Sequence, residues 1–149
     1  MENILITGAK GQLGSELKVL SQKNPSYNYY FTDIEELDIT SAEAIENFVT
    51  ANNITKIINC AAYNDVNGAE SNFDEAVRLN VTAVASLAEC ASKHDIYLIH
   101  FSSDYVFNGK KKSPYHESDR AFPISAYGKT KLAGEIAIKK SGAKSIIIR

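Results

Sequence analysis

The sequence predicts an α/β fold, a doubly wound and mostly parallel sheet with helices on both faces. Three observations predict it. Strand and helix patterns alternate along all 149 residues. The strand segments are nearly continuous apolar runs, as strands buried on both faces require. The residues with chemical potential fall just past strand ends, where parallel sheets bind their ligands.

Asn3 to Thr7 is a short apolar run that stops at Gly8 and forms the first strand. Gly8-Ala9-Lys10-Gly11-Gln12-Leu13-Gly14 joins it to a helix over Gln12 to Gln22. Glycines at such a turn permit a tight reversal, close approach of backbone to a pyrophosphate, and close helix–strand packing. The free N–H groups at the helix start then face the anion. The spacing is G-x-x-G-x-x-G rather than the commoner G-x-G-x-x-G, so the motif draws its weight from its place directly after the first strand. Tyr27 to Thr32, after Asn24-Pro25, is the second strand, and Asp33 follows where an acid would bond the adenosine ribose hydroxyls. A carboxylate there favours NAD over NADP by repelling a 2′-phosphate, whereas the Lys10 ammonium could attract one. The choice between NAD(H) and NADP(H) stays open.

Thr40-Ser41-Ala42-Glu43 has the capping-box form and opens a helix with Ile45, Phe48 and Val49 on one face. Lys56 to Asn59 is the third strand. A helix through Glu75 to Lys93 carries Val77, Val81, Val84, Ala88 and Ala91 as an apolar stripe. Asn80 shares that face with Val84, Leu87 and Ala91, so it is expected to be buried and bonded. It either braces the strand end Ala61-Ala62-Tyr63 near a cofactor or caps local backbone. Tyr97 to Ser102 is strand, Ala126 to Lys140 helix, and Ser145 to Arg149 begins another strand.

Composition excludes several functions. Hydrophobic residues make up 44% and charged residues 23%, ordinary for one soluble domain, and a net charge of -2 offers no basic patch to a nucleic acid. No apolar run approaches bilayer length, so no membrane partner is expected. The start, MENILITGAK, enters a strand pattern directly and does not read as a signal peptide. Cys60 and Cys90 stand outside any CxxC pair and are read as two reduced core thiols, which suits a cytoplasmic protein. No metal site is expected.

Tyr127-Gly128-Lys129-Thr130-Lys131 contains Y-x-x-x-K near a helix start, which sets Tyr127 and Lys131 one turn apart on a shared face. Reducing a ketone needs a proton for the developing alkoxide. A tyrosine can give it, but its ordinary pKa of about 10 is high for neutral pH. A neighbouring ammonium should lower that pKa. Lys131 could also hold a nicotinamide ribose, whereas Lys129 projects elsewhere. The strand ending His100-Phe101-Ser102-Ser103-Asp104 supplies a second donor for the carbonyl oxygen. Ser103 is the choice, with Ser102 the alternative.

Four stretches, TGAKGQLG, NCAAYNDVNGAE, HFSSDYVFNG and PISAYGKTKLAGE, resemble the dTDP-4-dehydrorhamnose reductase family of the extended short-chain dehydrogenase/reductase superfamily, in order and at family-like spacing. Tyr105 stands where sugar-nucleotide dehydratases of the superfamily have an acid, which argues against dehydration. The resemblance implies a Rossmann-like NAD(P)-binding domain over residues 1–149 and reduction of a dTDP-4-keto-6-deoxy sugar for surface polysaccharide. It implies cofactor contacts at Gly11, Gln12 and Leu13, at Asp33, at Asp38 and Ile39 under the adenine, and at Ala62, Tyr63 and Phe101. Ser103 and Asp104 would meet the sugar nucleotide, with Tyr127 as proton donor and Lys131 as its partner. Asn67 departs from the usual Asp of the family. Family members continue into a region that supplies much of the sugar pocket, so the chain is expected to be a fragment that binds cofactor and turns over substrate poorly or not at all. A sugar-nucleotide epimerase shares the Ser/Tyr/Lys set. The β subunit of methionine adenosyltransferase resembles the family yet acts as a regulatory partner. A homodimer is among the expected partners, although the oligomeric state is not read from the residues.

Overall fold

The computed structural model describes residues 2–149. Its elements are β1 (Asn3–Thr7), α1 (Gln12–Ser21), β2 (Asn28–Thr32), α2 (Ala42–Ala51), β3 (Lys56–Asn59), α3 (Phe73–Val77), α4 (Ala83–Lys93), β4 (Tyr97–Phe101), α5 (Ala126–Ser141) and β5 (Ser145–Ile148). The five strands are all parallel, in the order β2-β1-β3-β4-β5. The expected strands are all present, with ends within a residue or so of those read from the apolar runs.

Side chains alternate across the sheet and so divide it into two unlike faces. Leu5, Ile57 and Leu98 are paired across β1, β3 and β4, and they join Ile45, Val49, Val84, Leu87 and Ile138 from α2, α4 and α5 in one core. One residue along, Ile6, Phe31, Ile58, Ile99 and Ile146 form a row on the other face. There α1 lies over β2, with the Lys18 ammonium 5.9 Å from the Phe31 ring centroid. Exposure along this row runs from 1% at Ile6 to 47% at Ile146. Helices do lie on both faces, but unequally, and the second face is open towards β5.

Two local expectations are corrected. The capping box does not form at Thr40. Instead Ser41 caps α2 by accepting from the Ala44 N–H at 3.2 Å, while the Thr40 hydroxyl donates to Asp38 at 2.7 Å. The helix read as continuous from Glu75 contains a π turn over Arg78–Thr82 that links α3 to α4. A π turn adds a residue to one turn and rotates the segment before it. Ala76 and Asn80 therefore face inward, and Val77 and Val81 are only half-buried.

Candidate functional site

A groove runs along the C-terminal ends of the strands. It consists of two adjoining cavities of about 330 Å³ and about 350 Å³ that share Gly11, Cys60, Ala62 and Asn64. A larger hollow of about 660 Å³ lies between β5, α5 and the segment around Phe107 and Tyr115, and it shares no lining residue with the groove.

The glycine turn forms one end of the groove. Gly8 has φ +64°, and a Cβ there would lie 2.7 Å from the Ala61 nitrogen, so this position fixes how closely β1 approaches the end of β3. Gly14 packs the start of α1 onto the turn, where a Cβ would come within 2.4 Å of the Gly8 carbonyl oxygen. Gly11 differs from both, because it lines both cavities and a Cβ there would meet only the Gly8 oxygen, at 3.3 Å. As the N-cap of α1, Gly11 offers no capping side chain, and the first turn holds no acid. The positive end of the helix dipole is thus turned towards the groove with no acidic side chain in its own first turn. Gln12 and Leu13 line the second cavity.

Asp33 follows β2 and lines the first cavity. Its carboxylate accepts the Lys10 N–H at 3.0 Å and the Ile34 N–H at 3.0 Å, which ties the acid to the glycine turn. The Lys10 ammonium is paired with Glu35, and this hydrogen bond raises the lysine pKa and lowers that of Glu35. Asp38 and Ile39 also line this cavity, together with Ala61 and Ala62. The hydroxyl and N–H of Thr40 hold the Asp38 carboxyl below its ordinary pKa.

Phe101, Tyr127 and Lys131 line the second cavity. Ser125 caps α5 by accepting from the Gly128 N–H at 3.1 Å, and Glu70 accepts the Ala126 N–H at 2.8 Å, so the first turn bearing Tyr127 is fixed from two sides. Tyr127 is 7% exposed and stands edge-on to the Tyr105 ring, with centroids 5.6 Å apart. The Lys131 ammonium is buried and donates to the Phe101 carbonyl oxygen at 2.7 Å. Burial brings the Lys131 pKa down to about 8, against the opposing pull of Glu135. The expected lowering of the Tyr127 pKa is not found. Burial raises it, the nearby Ser103 hydroxyl acts in the opposite direction, and Asp104 and Tyr105 raise it further. Lys129 is exposed, as its place on the helix requires.

The two candidate serines have different partners. Ser102 donates to Glu135 at 2.6 Å, and Glu135 also accepts from Arg149 at 2.9 and 2.6 Å. Ser103 stands at the start of the turn Asp104–Val106, accepting the Tyr105 N–H at 3.1 Å and donating to Asp104 at 3.3 Å. The Ser103 hydroxyl acts on the Tyr127 phenol by lowering its pKa, whereas Ser102 lines the second cavity with Tyr127 and Lys131.

Asn80 is 1% exposed and bonds Tyr63 twice, accepting its N–H at 2.9 Å and donating to its carbonyl at 3.1 Å. It also donates to the Thr130 hydroxyl at 3.1 Å. It braces the Ala61–Tyr63 strand end against α5 from behind the groove, and Tyr63 packs with Ala69, Ala76, Ala126 and Tyr127. Asn67 is exposed and makes no capping bond to the short turn it begins. Sequence reasoning did not single out Cys60, Asn64, Arg78 or Leu79, all of which line the groove. Arg78 pairs with Glu75 at 2.7 Å and reaches the Thr40 hydroxyl at 3.1 Å, a contact across 38 residues that no local pattern announces.

A parallel sheet with a ligand groove at its strand ends, entered by a glycine turn at a helix start, defines a Rossmann-like α/β domain. The chain belongs to the family described as RmlD substrate binding domain, which it matches over residues 1–149. It is 41% identical to a dTDP-4-dehydrorhamnose reductase of Aggregatibacter actinomycetemcomitans over all of this chain and 51% of that protein. It is also 35% identical to a probable low-salt glycan biosynthesis reductase of Haloferax volcanii over 97% of this chain and 51% of the relative. The crystal structure of a dTDP-4-dehydrorhamnose reductase from Clostridium acetobutylicum superposes with a TM-score of 0.93 at 39% identity, over 97% of this chain and 51% of that one. That of the Bacillus anthracis dTDP-4-dehydrorhamnose reductase in complex with NADP gives 0.93 at 36% identity, over 98% and 52%. The chain thus spans about half the length of the relatives it matches. Among the described residues no helix is long and apolar enough to cross a membrane.

Proposed function

We propose that these residues form the cofactor-binding part of an NAD(P)H-dependent reductase acting on the keto group of a dTDP-4-keto-6-deoxy sugar. The observation that carries the reading is a single groove that begins at the uncapped start of α1 and ends at Tyr127 and Lys131, with Ser103 beside the phenol. The groove suits a dinucleotide. Gly11 leaves backbone open to a pyrophosphate, Asp33 supplies an acceptor for ribose hydroxyls, and Ile39 and Leu37 offer apolar surface to a base. A nicotinamide dinucleotide bound there would supply the hydride.

The chain's own groups manage the proton and the charge. Burial keeps the Tyr127 phenol protonated, so its Oη holds the proton that a developing alkoxide requires. Ser103 is a second donor to the same oxygen. Lys131, fixed by the Phe101 carbonyl, is a cation at neutral pH that can hold ribose hydroxyls and offset phenolate charge. We assign sugar selection to the part of such a protein outside these residues. By itself the chain binds cofactor and turns over a sugar nucleotide poorly or not at all, which the open apolar face at β5 supports.

The test joins residues 1–149 to the remaining half of the Aggregatibacter relative and follows NADPH oxidation with a dTDP-4-keto-6-deoxy sugar. Tyr127→Phe should remove most turnover while cofactor titration is unchanged. Equal turnover by parent and variant would exclude the assigned proton donor.

A further inference from the structure

Glu46, Cys90 and His94 form a cluster at the far end of the molecule from the groove, and their ligand-type atoms lie within 4.8 Å of one another. Cys90 and His94 are one turn apart at the C-terminal end of α4, and Glu46 comes from α2, which packs against it. They lead into the start of β4, whereas the groove lies beyond the ends of the strands. We propose that Glu46, Cys90 and His94 form a binding site for a zinc-class divalent cation, with water as the fourth ligand.

The ligand chemistry fits. A thiolate, an imidazole and a carboxylate are the donors zinc takes, and its bond lengths set neighbouring ligand atoms roughly 3.4–3.6 Å apart in a tetrahedron. The present spacing is 2.7 Å between Glu46 and His94 and no more than 4.8 Å to Cys90, so the side chains adjust to reach that value. The site is half-enclosed: Cys90 is 6% exposed, and the Glu46 and His94 side chains are 32% and 30% exposed, leaving an entry path from solvent. The last carbonyls of α4 add partial negative charge beside the cation. The Glu46 oxygen bonds His94 Nε2 at 2.7 Å, so two of the three ligand atoms already meet, and it also accepts from Lys93 Nζ at 2.7 Å. On binding, these two bonds break, the Lys93 ammonium turns to water, and the proton that His94 Nε2 donates to Glu46 passes to Nδ1 or to solvent, which frees that nitrogen's lone pair for the metal. The Cys90 S–H bond also breaks, and its proton passes to solvent as the sulfur–metal bond forms. The bound ion would tie α2 to α4 and raise stability by mass action.

The test is titration of the 149-residue chain with Co(II), in thiol-free buffer after reduction, followed by competition with Zn(II). One equivalent should give the near-ultraviolet thiolate-to-cobalt band and intense visible bands of a tetrahedral site, and Zn(II) should remove both. Cys90→Ser should abolish the thiolate band and Cys60→Ser should leave it intact. His94→Gln, at a partly exposed position where folding is not at stake, should weaken binding by at least about tenfold, the smallest effect seen on losing even a group that supports a ligand. No thiolate band with Co(II), a band that survives Cys90→Ser, or unchanged affinity in His94→Gln would each overturn the site.

Discussion

Glu135→Ala is expected to cost about 3 kcal/mol of stability, because it leaves Arg149 and Ser102 without the acceptor they share. The carboxylate is fully buried and receives three hydrogen bonds, one from Ser102 and two from the Arg149 guanidinium. Burial alone would raise its pKa, yet the bonds from Arg149 and Ser102 outweigh burial and hold the group ionised. Removing one partner of a buried pair costs about 3–5 kcal/mol. The Arg149 side chain is 20% exposed and can turn to water, which places the cost at the lower end. For a domain of this size about 2–4 °C is lost per kcal/mol, so the melting temperature should fall by roughly 6–12 °C. Glu135→Gln keeps an acceptor and should lose only about 1–2 kcal/mol. The change also reaches the groove. Glu135 raises the pKa of Lys131, which lies at about 8, so its removal should shift that titration lower and leave less ammonium at neutral pH. Urea and thermal unfolding of the two variants and the parent measure the first effect, and the pH dependence of cofactor titration measures the second. A Glu135→Ala chain within about 1 kcal/mol of the parent would refute the buried-pair reasoning.

Two further outcomes follow from other residues. His100 is buried and burial brings its pKa to about 3, so the folded chain keeps it neutral while the unfolded chain takes up a proton below pH 6.5. Its contribution is complete above pH 6.5 and lost as pH falls towards 3, so urea unfolding should show about 2 kcal/mol less stability at pH 5 than at pH 7 from this group. That increment should vanish in His100→Gln, and an unchanged difference would count against it. Asp33→Asn should raise NADPH affinity relative to NADH severalfold, since the charge facing a 2′-phosphate is gone while Lys10 stays paired with Glu35. Competition titrations with the two cofactors measure that ratio, and no change would show that Asp33 does not face the ribose.

The sheet was legible because each strand is a short apolar run ended by a residue that cannot continue it, such as Gly8 after Thr7. The groove-facing positions were legible because parallel sheets place loops of similar role at one edge. The different settings of Ser102 and Ser103 were also present in the sequence. Strand alternation puts Ser102 on the face of His100, which is the face α5 covers, and leaves Ser103 on the other side. What could not be read depends on partners far along the chain. The Lys131 ammonium faces a carbonyl 30 residues away, and the cost of its burial has no local signature. The π turn at Asn80 and the unequal cover of the sheet faces are likewise products of packing, not of local pattern.

Calorimetric titration of the chain with NADH and with NADPH tests the central claim most directly. Both should bind at one site, and Gly11→Asp, which sets a carboxylate at the uncapped start of α1, should abolish that heat with little change in melting temperature. Absence of binding by either cofactor, or binding that Gly11→Asp leaves intact, would contradict a dinucleotide groove at these strand ends.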